Sequence, residues 1–149
     1  MNELKRILLI EDNANDLELT LEALAEHKLA NEVAVARDGA QALDYFWCRN
    51  QFASRSDGFP VVVLLDLKLP KVSGVEVLRQ IKSDARLKPI PVVVLTSSRE
   101  EPDLRQCYEL GCNAYGVKPV DFQQFADAIK KLGCFWAVLN EPPPPVPET

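Results

Sequence analysis

Two kinds of apolar pattern alternate along the chain. Short apolar runs predict strands that are covered on both faces of a sheet. Stretches whose apolar residues recur every three or four positions predict amphipathic helices. The predicted strands are residues 6–10, 32–36, 61–65, 92–95 and 114–117. The predicted helices are residues 15–26, 39–47, 73–82, 102–110 and 121–139. Between the second helix and the third strand, we expect a surface loop or an extra helical turn over residues 48–59.

Five strand–helix units in succession predict an α/β fold, a doubly wound parallel sheet with helices on both faces. Of the two common strand orders, five strands favour the flavodoxin-like order 2-1-3-4-5. Ligands then bind at the carboxyl ends of the strands, beside the switch point between strands 1 and 3. The apolar pattern and the topology therefore predict a ligand site beside the ends of strands 1 and 3, independently of any motif.

Polar side chains stand where four of the predicted strands end. Glu11 and Asp12 follow the first strand, Asp66 the third and Lys118 the fifth, and Thr96 closes the fourth. Because the carboxyl ends of parallel strands lie along one edge of a sheet, we expect these residues to meet in one cleft.

Three carboxylates and one ammonium give this cleft a net charge of about −2, so the acids raise each other's pKa unless a cation is present. Hard carboxylate oxygens select Mg²⁺, or alternatively Mn²⁺. We expect Asp12 and Asp66 to be direct ligands, Glu11 to act in part through water, and the backbone carbonyl of Lys68 to supply another oxygen.

The same cleft can carry phosphoryl transfer. Asp66 would accept a phosphoryl group and form an aspartyl phosphate, while Lys118 and the Thr96 hydroxyl contact phosphoryl oxygens. Each residue also has an ordinary structural interpretation. Asp12 could cap the following helix, Thr96 could belong to a capping arrangement with Ser98 and Glu101, and Lys118 could be a solvated strand end. Their joint position at the switch point favours the functional interpretation.

At these residues the chain resembles the receiver domain of bacterial response regulators, from Ile7 to about Leu132. The motifs are Ile-Leu-Leu-Ile-Glu-Asp-Asn (7–13), Val-Val-Leu-Leu-Asp-Leu-Lys-Leu-Pro-Lys-Val-Ser-Gly (62–74), Val-Val-Val-Leu-Thr-Ser-Ser (92–98) and Gly-Val-Lys-Pro (116–119). The resemblance implies that Asp66 is phosphorylated, that Glu11 and Asp12 form the acidic pair, and that Lys118 contacts the phosphate.

The resemblance also implies a switch. Thr96 would move toward the phosphate, Tyr115 would turn inward, and the surface of the fourth helix, fifth strand and fifth helix would change. A cis Lys118–Pro119 bond is implied as well. A sensor histidine kinase is the expected phosphoryl donor. With no DNA-binding or enzymatic output module in the chain, we expect docking to an unidentified downstream protein or onward phosphorelay.

A narrower resemblance involves three segments: Asn13-Ala-Asn-Asp-Leu-Glu-Leu-Thr20, Leu87-Lys-Pro-Ile-Pro91 and Phe135-Trp136. They are similar to those of single-domain regulators that partner phytochrome-type histidine kinases, so a bacteriophytochrome is the expected kinase.

Composition argues against several classes of partner. The chain has 149 residues and a net charge of −5, which argues against general affinity for nucleic acid. No apolar run approaches the roughly 20 residues of a membrane span. The four cysteines lack the spacing of zinc ligands, and they indicate reduced thiols in a cytoplasmic protein.

We expect a receiver domain over residues 1–140 and an extended Pro-rich tail over 141–149.

The last predicted helix carries an apolar stripe that continues past Gly133, to Phe135, Trp136 and Leu139. This stripe suggests a homodimer through the C-terminal helix. The alternative is a long helix end folded onto its own domain.

Two other functions use related folds or chemistry. A Mg²⁺-dependent phosphohydrolase with an aspartyl-phosphate intermediate needs a second acid two residues after its nucleophile, where this chain has Lys68. A flavin carrier needs a Ser/Thr- and Gly-rich phosphate loop after the first strand, where Glu11 and Asp12 stand. We therefore expect a phosphoacceptor signalling protein rather than an enzyme.

Overall fold

Within the residues that the structure describes, five short parallel strands form a single sheet, as the apolar runs predict. The computed structural model describes residues 6–26, 32–55, 58–97, 100–118, 121–133 and 135–136. The strands are β1 (Arg6–Ile10), β2 (Glu32–Ala36), β3 (Val62–Leu65), β4 (Val92–Thr96) and β5 (Ala114–Val117). Their order is β2-β1-β3-β4-β5, which confirms the predicted doubly wound, flavodoxin-like topology.

Helices cover both faces of this sheet. They are α1 (Ala14–Glu26), α2 (Gly39–Phe46), α3 (Gly74–Ser83), α4 (Glu101–Leu110) and α5 (Phe122–Gly133). Helix α1 packs against α5, whereas α3 packs against both α2 and α4. A 3₁₀ turn at Asn50–Phe52 lies in the connection before β3, where the sequence indicates a loop or a helical turn.

The alternation of side chains along β1 divides the core into two layers. Leu8 and Ile10 belong to the cluster that includes side chains of α2, α3 and α4. Ile7 and Leu9 belong to the cluster that includes side chains of α1 and α5. Because successive side chains of a strand point to opposite faces, a strand covered on both sides needs apolar side chains at consecutive positions, as β1 has at Ile7, Leu8, Leu9 and Ile10.

Several helix ends follow the predicted signals. Asp38 caps α2 by accepting a hydrogen bond from the Gln41 backbone amide at 2.8 Å. Pro102 lies in the first turn of α4, and Gly111 ends that helix with φ of 103°, a left-handed conformation that suits glycine.

The last helix is divided differently from the prediction. Helix α5 ends at Gly133, and Phe135 and Trp136 lie in a π-helical turn beyond it. Leu139, the Pro-rich tail at 141–149 and the Lys118–Pro119 bond lie outside the described residues.

Two glycines bring the segment after β3 into close contact with the helices. A Cβ on Gly74 would lie 2.3 Å from the Asp66 carbonyl oxygen, and a Cβ on Gly39 would lie 1.9 Å from the Val72 carbonyl oxygen. No side chain beyond hydrogen fits at such distances from backbone atoms. The first turns of α2 and α3 therefore hold the segment that carries Asp66. Within the described part of the chain, no helix has the length and apolar character needed to cross a membrane.

Candidate acidic site at the carboxyl edge of the sheet

The predicted site residues are gathered by strand pairing. Strands β1 and β3 are neighbours, with Ile10 opposite Leu65. The backbone amide of Asp66 donates to the Ile10 carbonyl at 3.1 Å, so Asp66 and Glu11 begin side by side. The prediction that distant acids meet at one edge is confirmed.

Three carboxylates form a compact cluster. One oxygen from each of Glu11, Asp12 and Asp66 lies within 4.8 Å of the others. Glu11 and Asp66 are 3% and 7% exposed, whereas Asp12 is open to solvent. An all-oxygen donor set with one solvent-facing member fits a hard divalent cation that keeps part of its water shell.

The Lys118 ammonium contacts two of these three carboxylates and a further acid from α1. Its ammonium donates hydrogen bonds to the carboxylate oxygens of Glu11, of Asp66 at 2.9 Å and of Asp16 at 2.8 Å. Its side chain is only 9% exposed. Lys118 is therefore not a solvated strand end.

Asp16 is a member of the site that sequence reasoning missed. It lies in the first turn of α1, which directly follows the acidic pair at the end of β1. The available signal was this position, because first-turn side chains of a helix that leaves the carboxyl end of a strand lie beside the ligand cleft.

The charges shift the ionisation of all three buried groups. Burial and a hydrogen bond to Asp66 raise the pKa of Glu11 to about 7, against the opposing effect of Lys118. Burial also opposes ionisation of Asp66, but its hydrogen bonds with Glu11 and Lys118 outweigh burial and lower its pKa. For Lys118, burial is outweighed by the hydrogen bonds to Asp16, Glu11 and Asp66, which raise its pKa. Asp66 is therefore ionised before Glu11 as the pH rises.

Thr96 lies on β4, and Tyr115 lies on the neighbouring strand β5, which ends directly before Lys118. Thr96 is fully buried at the end of β4, and its carbonyl accepts a hydrogen bond from the Lys118 backbone amide at 2.7 Å. Tyr115 is half-buried and packs against the core cluster of the α2–α4 face. Lys68 donates its backbone amide to Asp66 Oδ1 at 3.2 Å; the role of its carbonyl as a metal ligand stays a prediction.

The capping alternative for Asp12 does not hold. Asn13 supplies the cap of α1, since its side-chain oxygen accepts the Asp16 backbone amide at 3.0 Å. Ser98, the other residue in the capping alternatives, lies outside the described segments.

Comparison with known proteins identifies the class. Residues 7–130 match the family model of the response regulator receiver domain. The chain belongs to this family, and it is a response regulator that is phosphorylated on aspartate and acts as a signalling phosphoacceptor rather than as an enzyme. Membership also implies a histidine kinase as partner.

Two curated relatives align with nearly the whole chain. The probable methanogenesis regulatory protein FilR2 of Methanothrix harundinacea is 41% identical over 93% of this chain and 88% of the relative. The response regulator Rcp1 of Synechocystis is 37% identical over 91% of this chain and 90% of the relative.

Solved structures of response regulators share the fold. The phosphorylated cyanobacterial phytochrome response regulator RcpA has a TM-score of 0.89 at 41% identity and covers 95% of this chain and 100% of its own. The Mn²⁺-bound form of Rcp1 has a TM-score of 0.87 at 36% identity, over 94% and 99% of the two chains. The bacteriophytochrome response regulator RtBRR is 63% identical with a TM-score of 0.75, over 95% and 86%.

Proposed function

We propose that Asp66 is the phosphorylated aspartate and that Lys118 and Thr96 contact the phosphoryl oxygens. The observation that carries this proposal is the 2.9 Å hydrogen bond from the Lys118 ammonium to the Asp66 carboxylate inside the acid cluster. It joins a buried carboxylate of lowered pKa to a fixed positive charge, which is the arrangement that a carboxylate nucleophile for phosphoryl transfer requires.

The residues that would hold the cation are Glu11, Asp12, Asp66 and the backbone carbonyl of Lys68. Their carboxylate oxygens are close enough to share one ion, and the relative Rcp1 has been solved with Mn²⁺. Oxygen ligands of this kind suit Mg²⁺ as well as Mn²⁺, and we infer that Mg²⁺ is the physiological ion. When bound, the ion supplies neutralisation of charge between the acids and the phosphoryl oxygens.

The side chains then divide the reaction between them. An oxygen of the ionised Asp66 forms a bond to phosphorus while the bond from phosphorus to the imidazole nitrogen of the kinase breaks, and the imidazole keeps the electron pair. Lys118 turns the N–H that now bonds Asp66 toward a phosphoryl oxygen. Burial of Glu11 and Asp66 strengthens these interactions because fewer waters screen them.

The phosphorylated site would act on the surface formed by α4, β5 and α5. Phosphorylation adds up to about two negative charges and strong hydrogen-bond acceptors. Thr96 would donate its hydroxyl to one of them, and Tyr115 would move into the space that Thr96 leaves. The support is their position on adjacent strands, with Thr96 paired to Val117 and Val94 paired to Tyr115. This surface would dock a downstream protein, or the phosphoryl group would pass onward by phosphorelay.

We infer that the kinase partner is a bacteriophytochrome. The support is the similarity to RcpA, a cyanobacterial phytochrome response regulator, and to RtBRR, a bacteriophytochrome response regulator. The similarity to FilR2 makes another sensor histidine kinase the competing possibility, and the experiment below separates them.

A homodimer through the C-terminal helix is part of the proposal. Phe135 is 50% exposed, and its ring packs edge-on against Trp136 with centroids 5.0 Å apart. Trp136 itself packs on the α1–α5 core cluster of its own chain. The stripe thus divides into one ring that completes the domain and one that is available to a second copy.

The domain boundary and location are also proposals. A receiver domain over residues 1–140 with a separate tail over 141–149 contains the family match at 7–130. A cytoplasmic location is supported by the free thiols of Cys48, Cys107 and Cys112, since disulfides are rare in that compartment.

The test compares the wild-type chain with Asp66→Asn and a matched control, Asp127→Asn, which changes an exposed carboxylate on α5. Each is incubated with Mg²⁺ and acetyl phosphate, or with a phosphorylated bacteriophytochrome kinase. We expect an acid-stable, base-labile acyl phosphate on the wild type and the control, and none on Asp66→Asn. An acyl phosphate formed on Asp66→Asn would refute Asp66 as the phosphorylated residue. Transfer from acetyl phosphate but not from the bacteriophytochrome would refute the partner alone.

A further inference from the structure

The ammonium of Lys118 has three N–H donors and three carboxylate acceptors. Two of the acceptors, Glu11 and Asp66, belong to the metal-binding cluster. The third, Asp16, comes from α1 and is outside that cluster, with its Oδ2 2.8 Å from Lys118 Nζ. Asp16 is therefore the one acceptor of the three that is free of the proposed cation and the proposed phosphoryl group.

Asp16 is held firmly by its own neighbours. Its backbone amide donates to the Asn13 side chain at 3.0 Å, and its carbonyl accepts the Thr20 hydroxyl at 2.7 Å. Thr20 is 2% exposed, and the adjacent Leu17 is buried in the core. The Asp16 side chain thus extends from a hydrogen-bonded helical turn that packs on the core, and it is itself 28% exposed.

The other two acceptors change during the reaction. The Asp66 carboxylate loses its charge when one of its oxygens becomes the bridging oxygen of the acyl phosphate, and the Glu11 carboxylate would also interact with the proposed cation. The direction of the Lys118 ammonium then depends on the acceptor that stays the same. We propose that Asp16 is a positioning residue that holds Lys118 against the phosphoryl group. This inference rests on the proposed role of Lys118 as the phosphoryl contact.

A helical alternative exists for Asp16, because an acid in the first turn also interacts favourably with the helix dipole. That role predicts a loss of stability that is independent of Lys118. Positioning predicts instead that the effect of changing Asp16 depends on whether Lys118 is present, which a double-mutant cycle measures.

The measured quantity is the first-order rate constant of phosphorylation by acetyl phosphate at saturating Mg²⁺, together with the affinity for beryllofluoride. A charge-assisted hydrogen bond is stronger than a neutral one, and partial exposure of Asp16 reduces its contribution. We expect Asp16→Ala to lower both quantities about three- to tenfold. Asp16→Asn should lie between wild type and Asp16→Ala, because an amide oxygen still accepts a hydrogen bond but carries no charge.

The matched control is Glu18→Ala, an exposed acid two residues further along α1, which should leave both quantities unchanged. In a Lys118→Met background, Asp16→Ala should have no further effect. An equal loss in both backgrounds, or a loss equalled by Glu18→Ala, would overturn the positioning role and leave the proposed function intact. If Lys118→Met by itself leaves phosphorylation and beryllofluoride binding unchanged, the proposed role of Lys118 fails and the inference fails with it.

Discussion

The protonation of Glu11 leads to a quantitative expectation for metal binding. Without metal, burial and the hydrogen bond to Asp66 raise the pKa of Glu11 to about 7. Near neutral pH this carboxyl therefore carries a proton in about half of the molecules. A divalent cation in the cluster favours the ionised carboxylate, so the cation and the proton compete for the same group.

The size of the effect follows from this pKa. A group of pKa about 7 is about one-tenth ionised at pH 6 and about nine-tenths ionised at pH 8. Since the cation binds the ionised form, the apparent Mg²⁺ affinity should be about tenfold weaker at pH 6 than at pH 8. The direction is set by the sign of the shift: a raised pKa keeps the proton on Glu11 through the range in which an ordinary glutamate has lost it.

Isothermal titration calorimetry in buffers of different ionisation enthalpy measures this competition. We expect about half a proton to be released per Mg²⁺ bound at pH 7. Glu11→Gln should bind Mg²⁺ more weakly and lose the pH dependence. The unperturbed pKa of a histidine side chain also lies in this range, and His27 is the only histidine in the chain. His27→Gln is therefore the control and should keep the wild-type dependence. Equal affinity at pH 6 and pH 8 in the wild type would refute the reasoning.

Two further predictions concern the close contact at Gly74 and the exposed ring of Phe135. Gly74→Ala places a methyl group against the Asp66 carbonyl, so we expect the free energy of unfolding, measured by urea titration, to fall by about 1–3 kcal/mol and phosphorylation to be slower. Gly58→Ala is the control, because a Cβ there has nothing within 4 Å, and it should change neither quantity. Phe135→Ser should shift the sedimentation coefficient toward that of a monomer, whereas Phe59→Ser, which removes another exposed ring, should not. An unchanged coefficient for Phe135→Ser would count against the C-terminal dimer.

The architecture was accessible from the sequence because its signals are local or topological. Uninterrupted apolar runs such as Val62–Leu65 identify strands that are buried on both faces. Alternating strands and helices determine that these strands are parallel, and parallel strands bring their carboxyl ends to one edge. Glu11 and Asp66 are therefore expected to meet although 55 positions separate them.

The details of the site required the tertiary structure. Asp16 resembles any acid in the first turn of a helix until its distance to Lys118, 102 positions away, is known. The raised pKa of Glu11 comes from burial and from Asp66, and both effects exist only in the folded chain. The end of α5 was likewise unpredictable, because the apolar stripe runs past Gly133 while Trp136 closes onto its own core.

The amino-acid order is enough to show which side chains reach the carboxyl edge, because apolar periodicity and chain topology both follow from it. How those side chains share protons and hydrogen bonds is defined only in the folded chain. Electrostatic interactions depend on distances of a few ångströms and on solvent exposure. Both are set by the packing of elements that lie far apart in the chain.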